Sequence, residues 1–149
     1  MKIELKNIKH AAFASQETLC FTASVYIDGK RVGEVSNEGY GGADRWHPYA
    51  IEHTINEYAK TLPPVVYDDF TFQPNAETLI GELMNDWLRR QSEKKLCAKQ
   101  TCFRKPGESY ADGEWHTVKG KYSDAVRDYL INKYGPTVRI LNVELQCAS

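Results

Sequence analysis

The stretch with the clearest chemical potential is Asn37-Glu38-Gly39-Tyr40-Gly41-Gly42-Ala43-Asp44-Arg45-Trp46-His47. Glycines at such positions let backbone N–H groups approach a ligand, and a helix N-terminus that follows favours an anion. Arg45 and His47 would add charge, so one expectation is a phosphate or nucleotide site. The spacing is neither G-x-G-x-x-G nor G-x-x-x-x-G-K-[ST], so neither dinucleotide nor Walker chemistry is encoded. Glu38 and Asp44 would oppose a phosphate unless they point away. The same glycines also suit a plain connection that needs positive φ, and Tyr40 and Trp46 also suit the aromatic anchors of a protein-binding loop. Asn37, Gly39, Tyr40, Gly41, Gly42, Arg45 and Trp46 are thus the candidate ligand- or partner-binding residues, with all three readings open.

Other reactive side chains are scattered. His53 has Glu52 beside it and Glu57 four residues on, a spacing that more often makes a surface ion pair than an acid–base couple. His116 follows Trp115 on a short strand, and Asp68-Asp69 would send their carboxylates apart. No nucleophile elbow and no Cys–His signature is present, so no catalytic residues and no cofactor are expected. Cys20, Cys97, Cys102 and Cys147 are expected to be free thiols. Cys97 and Cys102 form C-x4-C without a second close pair, and His10, His47, His53 and His116 are dispersed, so no metal site is expected.

Net charge is −1, but it hides a split. Up to Leu88 the chain has 7 Lys and Arg against 13 Asp and Glu, a net of −6; from Arg89 onward it has 12 against 7, a net of +5. Arg89, Arg90, Lys94, Lys95, Lys99, Arg104 and Lys105 concentrate the positive charge, with Lys119, Lys121, Trp115 and Tyr122 following. A basic strip interleaved with aromatics is the footprint of a nucleic-acid or acidic-partner contact. Self-pairing of the two halves, within one chain or in a homodimer, accounts for the split equally well. An acidic face also suits binding to a partner protein that itself binds nucleic acid, by presenting carboxylates where phosphates would sit.

The elements that must position these residues follow from pattern. At 149 residues, 42% hydrophobic and 26% charged, the chain is neither disordered nor collagen-like and suits a single α+β domain over 1–149, with a possible subdivision near 63–75. Strands are expected in the first half of 2–13, over Leu19–Ile27 and over Arg31–Ser36, with a tight Asp28-Gly29 turn and a bulge at Gly33. A helix opens at Pro48 and stops at Pro63-Pro64; a longer one runs from an Asn75 cap to about 95, with Leu79, Leu83 and Trp87 on its apolar face. Strands over 96–104 and 115–118 flank turns at Pro106-Gly107 and Asp112-Gly113. Ser123 caps a last helix ended by Gly135, and 137–145 alternates as a final strand. Hairpins of this kind favour an antiparallel sheet with about three helices on one face. No stretch reaches the length a membrane helix needs, and the first residues carry no apolar signal region, so a cytoplasmic protein without membrane contact is expected.

The run Ser15-x-x-Thr18-x-Cys20-Phe21-x-Ala23-x-Val25-Tyr26-x-Asp28-Gly29-Lys30, continuing to Asn37-x-Gly39-x-Gly41-Gly42, resembles small bacteriophage and prophage proteins. Thr101-Cys102-Phe103-Arg104 followed by Gly113-Glu114-Trp115 is similar in style to the same group. The resemblance implies an accessory protein that binds and inhibits a host or defence-system protein stoichiometrically, in the host cell cytoplasm. The residues themselves keep a second expectation in play: a nucleotide- or nucleic-acid-binding module using the glycine loop or the 89–105 strip.

Overall fold

The computed structural model describes residues 1–109 and 115–147, without the side chain of Cys147. It is α+β, with antiparallel sheets of hairpin-connected strands. The chain divides into two compact units, Met1–Asp86 and Trp87–Ser149. The division lies within two residues of the charge split, so unit 1 carries the acidic excess and unit 2 the basic one.

Unit 1 is built on a sheet in the order β1 (Ile3–His10), β2 (Cys20–Ile27), β3 (Lys30–Glu38), β4 (Arg45–His47). Phe21, Ala23 and Val25 alternate into the core from β2, as a half-buried strand requires. Asp28 and Gly29 both take positive φ (50° and 82°) and close the hairpin in two residues. The register of β2 and β3 shifts beside Gly33, where the bulge was expected; a Cβ there would strike the His47 carbonyl oxygen. Helix α1 (Ala50–Ala59) packs against β4 and buries Ile51, Ile55 and Ala59, one side chain per turn. Two short strands, β5 (Val65–Tyr67) and β6 (Phe70–Phe72), form a separate hairpin turned by Asp68-Asp69. Helix α2 (Ala76–Cys97) starts where Asn75 Oδ1 accepts from the Thr78 N–H at 2.9 Å.

In unit 2, β7 (Gln100–Arg104) lies between β8 (His116–Lys119) and β9 (Arg139–Ile140), both antiparallel to it. Helix α3 (Asp124–Tyr134) is capped by Ser123, whose Oγ accepts from the Val126 N–H. Gly135, at φ 99°, ends it. Phe103, Leu130 and Ile140 form the core, covered by Val126, Tyr134 and Val138 among others.

Two expectations are corrected. The segment 137–145 is not a strand: only Arg139–Ile140 pairs with β7, and helix α4 (Leu141–Cys147) follows at once. The buried amide of Asn142 decides this, since its Oδ1 accepts from Cys102 N–H at 2.9 Å while its Nδ2 donates to the carbonyls of Gln100 and Cys97. Those tertiary bonds outweigh a local period-two pattern. The buried stripe of α2 in unit 1 is Ala76, Ile80 and Met84; Leu79 and Leu83 are half-buried and line a small cleft with Ile3, Tyr58 and Leu62. The turn expected at Asp112-Gly113 lies outside the described residues.

Candidate functional site

Asn37 organises the glycine loop. Period two along β3 puts it on the same inward face as Val35, and it is 7% exposed. A polar side chain buried there must find partners. Its Oδ1 accepts from Thr18 Oγ1 at 2.7 Å and from the Gly39 N–H at 2.9 Å. Its Nδ2 donates to the Gly42 carbonyl at 2.9 Å and to Asp44 Oδ1 at 3.0 Å. One amide thereby fixes both ends of the loop and ties it to the Ser15–Thr18 turn.

The second side of that turn is held by Gly39. Its carbonyl accepts from the N–H groups of Gln16 and Glu17, both at 3.0 Å. Gly39 has φ 88°, and a Cβ on it would run into the Ala14 carbonyl oxygen. The glycine is therefore required for close backbone approach and for its left-handed φ together.

Three of the loop amides are bonded within the protein and are not offered to an anion. Gly39 N–H goes to Asn37, Gly41 N–H to Thr18 Oγ1 at 3.3 Å, and Asp44 N–H to Glu77 Oε1 at 3.0 Å. Arg45 pairs with Glu38 at 2.9 Å, both exposed. Trp46 is buried at the centre of β4, paired with Val35. Tyr40 is 66% exposed. Of the aromatic pair proposed as partner anchors, the structure leaves Tyr40 on the surface and gives Trp46 to the core.

Beside the loop lies a cleft of about 470 Å³, wholly within unit 1. Leu19, Phe21 and Met84 supply its apolar part; Gln16 and Asn85 supply amides; Glu17, Asp44 and Glu77 supply carboxylates. Among the described residues, no Lys, Arg or His lines it. Burial pushes the Asp44 carboxyl above its usual range; the Asn37 bond pulls it down, and Glu77 and Glu52 push it up again. The site therefore concentrates negative charge in a partly desolvated setting, where an added cation would relieve it. Ser15 and Thr18 have their hydroxyls engaged within the protein, Ser15 Oγ donating to the Ala11 carbonyl and Thr18 Oγ1 to Asn37. Glu17 and Glu77 lie far from the loop in sequence, so loop spacing held no sign of them.

The basic strip is placed in unit 2. Arg89, Arg90, Lys94, Lys95, Lys99 and Lys105 are exposed. Arg104 is 4% exposed, its guanidinium 4.4 Å from the Trp115 ring centroid, with Arg139 5.6 Å from the same centroid. It belongs to a packed cation–π stack rather than to the surface strip.

His47 and His53 are exposed on β4 and α1. His116, exposed on β8, has its Nε2 3.0 Å from Glu108 Oε1, a contact that holds the Glu108 carboxyl below its usual range. Cys20, Cys97 and Cys102 are free thiols. Among the described residues, no three His, Cys, Asp or Glu side chains gather to hold a metal ion, and no helix is long and apolar enough to cross a membrane. No protein-family model, curated protein or solved structure matches the chain.

Proposed function

We propose that the protein acts by stoichiometric binding, taking a cationic side chain of a partner protein into the acidic cleft of unit 1. The observation that carries this is the lining: Glu17, Asp44 and Glu77 around an apolar floor, with the N–H groups of Gly39, Gly41 and Asp44 bonded within the protein. An arginine or lysine would place its stem on Leu19, Phe21 and Met84 and its charge among the carboxylates. Two exposed aromatics flank the lining segments in sequence, which favours a protein over a free amine. Phe13, 92% exposed, precedes Ser15 by two residues, and Tyr40 sits inside the loop. Such rings are common interface anchors. The partner class that fits the phage resemblance is a host or defence-system protein, with inhibition as the consequence of binding.

Calorimetric titration of the whole chain with a short arginine peptide tests the reading. Binding is expected, weakened roughly two- to thirtyfold by Glu17→Gln with Glu77→Gln, the effect of two partly exposed ion pairs. Equal binding of a glutamate peptide, or indifference to the double substitution, would refute it.

A further inference from the structure

The charge chemistry is reversed in a second cavity, inside unit 2. It measures about 350 Å³ and is lined by Lys94, Cys97 and Ala98 of the α2 end, Lys121 and Tyr122, and Asn142, Leu145 and Gln146 of α4. No carboxylate lines it among the described residues. The Cys97 thiol, pushed up to about 12 by burial and then by Cys102 and Glu93, stays neutral and takes nothing from the two lysines. Asn142 is spent on the backbone of Cys97, Gln100 and Cys102, so it builds the wall instead of meeting a ligand. What remains of the lining is Ala98, the two exposed lysines, the half-buried Tyr122, the aliphatic Leu145 and Gln146.

Cations continue on both sides. Arg90 precedes Lys94 by one helical turn and is exposed. Lys99 follows the lining Ala98, Lys119 precedes Lys121 by two residues, and both are exposed. Lys99 directly precedes Gln100, which pairs with Lys119 across β7 and β8. This row is longer than one phosphate group needs, and a phenol ring inside a cavity takes a base only when that base is unstacked.

We propose that unit 2 binds single-stranded nucleic acid, with a backbone phosphate on Lys94 and Lys121, a base against Tyr122, and flanking phosphates on Arg90, Lys99 and Lys119. The site is separate from the acidic cleft and does not depend on it.

Fluorescence anisotropy of the whole chain with a labelled strand of about 12 nucleotides, its duplex, and a mononucleotide tests this. The strand should bind most tightly, and its log affinity should fall with log salt at a slope of about −2 to −3.5 for three to five phosphates. Lys94→Gln with Lys121→Gln should flatten that slope by about 0.7, the share of the one phosphate they hold. Tyr122→Leu should weaken binding roughly five- to a hundredfold at unchanged slope, and Tyr122→Phe should retain it. Circular dichroism checks that each variant is folded. The proposal is overturned if the strand does not bind at about 50 mM salt. A duplex or mononucleotide bound as tightly, or a slope unmoved by the double lysine substitution, overturns it equally.

Discussion

Asn37→Asp replaces one buried group by an isostere and reverses two of its four hydrogen bonds. The bonds accepted by Oδ1 from Thr18 and Gly39 survive, whereas the Nδ2 donor to Gly42 and Asp44 becomes an oxygen. Losing the neutral bond to the Gly42 carbonyl costs about 1 kcal/mol, and losing the charge-assisted bond to Asp44 about 1.5–3 kcal/mol. The total is about 2.5–4 kcal/mol at neutral pH, before any repulsion between the new carboxylate and Asp44 about 3 Å away. The sign of the pH dependence is also fixed. Two carboxyls at that distance share a proton at higher pH than either would alone, so the folded variant binds more protons than its unfolded chain. Its stability therefore rises as pH falls, and the deficit should shrink from about pH 7 toward pH 4.5. Urea unfolding of wild type and variant at both pH values, followed by circular dichroism, measures it. A variant as stable as wild type at neutral pH would refute the assignment of Asn37 as the organiser of the loop. A deficit unchanged by pH would show that Asp44 is not its partner.

Three further outcomes follow from the same geometry. Gly39→Ala should destabilise unit 1 by more than about 1 kcal/mol in denaturant titration, because both φ and the Ala14 carbonyl forbid a Cβ, whereas Gly42→Ala, with open space around it, should stay within about 0.5 kcal/mol. The raised Asp44 carboxyl makes its ionised form costly in the fold, so this group's contribution to stability should improve as pH falls through its elevated pKa. Asp44→Asn, whose side-chain oxygen can still accept from Asn37, should then leave thermal stability unchanged or higher at neutral pH while weakening the arginine peptide in calorimetry. Arg104→Gln should lower the unfolding midpoint, because its guanidinium is packed on Trp115, and should leave the salt slope of nucleic-acid binding unmoved.

Features written in consecutive residues were legible in the sequence. The alternation of β2, the Asp28-Gly29 turn, the bulge beside Gly33, and the caps at Asn75 and Ser123 all depend on neighbours within a few positions. The charge division was legible too, because counting needs no contacts. The helix over Leu141–Cys147 was not, because the period-two alternation over 137–145 is a strand signal, whereas Asn142 is fixed by partners about forty residues earlier in the chain. Strand β4 has three residues, too few to carry a period. The glycine loop was located, but its chemistry depends on Glu17 and Glu77, which reach the cleft only through the turn at Ser15–Thr18 and the first turns of α2. Asn37 carried a signal in being two residues beyond the buried Val35 on the same strand face. A polar residue at an inward position implies a bonded hub.

The central claim is that the loop and its cleft receive a cation and not a phosphate. The most direct measurement is the amide spectrum of the ¹⁵N-labelled chain during titration, first with the arginine peptide and then with inorganic phosphate. The account predicts saturable shifts at Gly41, Gly42, Asp44 and the Asn85 side-chain amide with the peptide, reduced in Glu77→Gln, and none there with phosphate. Saturable shifts at those amides with phosphate, and silence with the peptide, would contradict it.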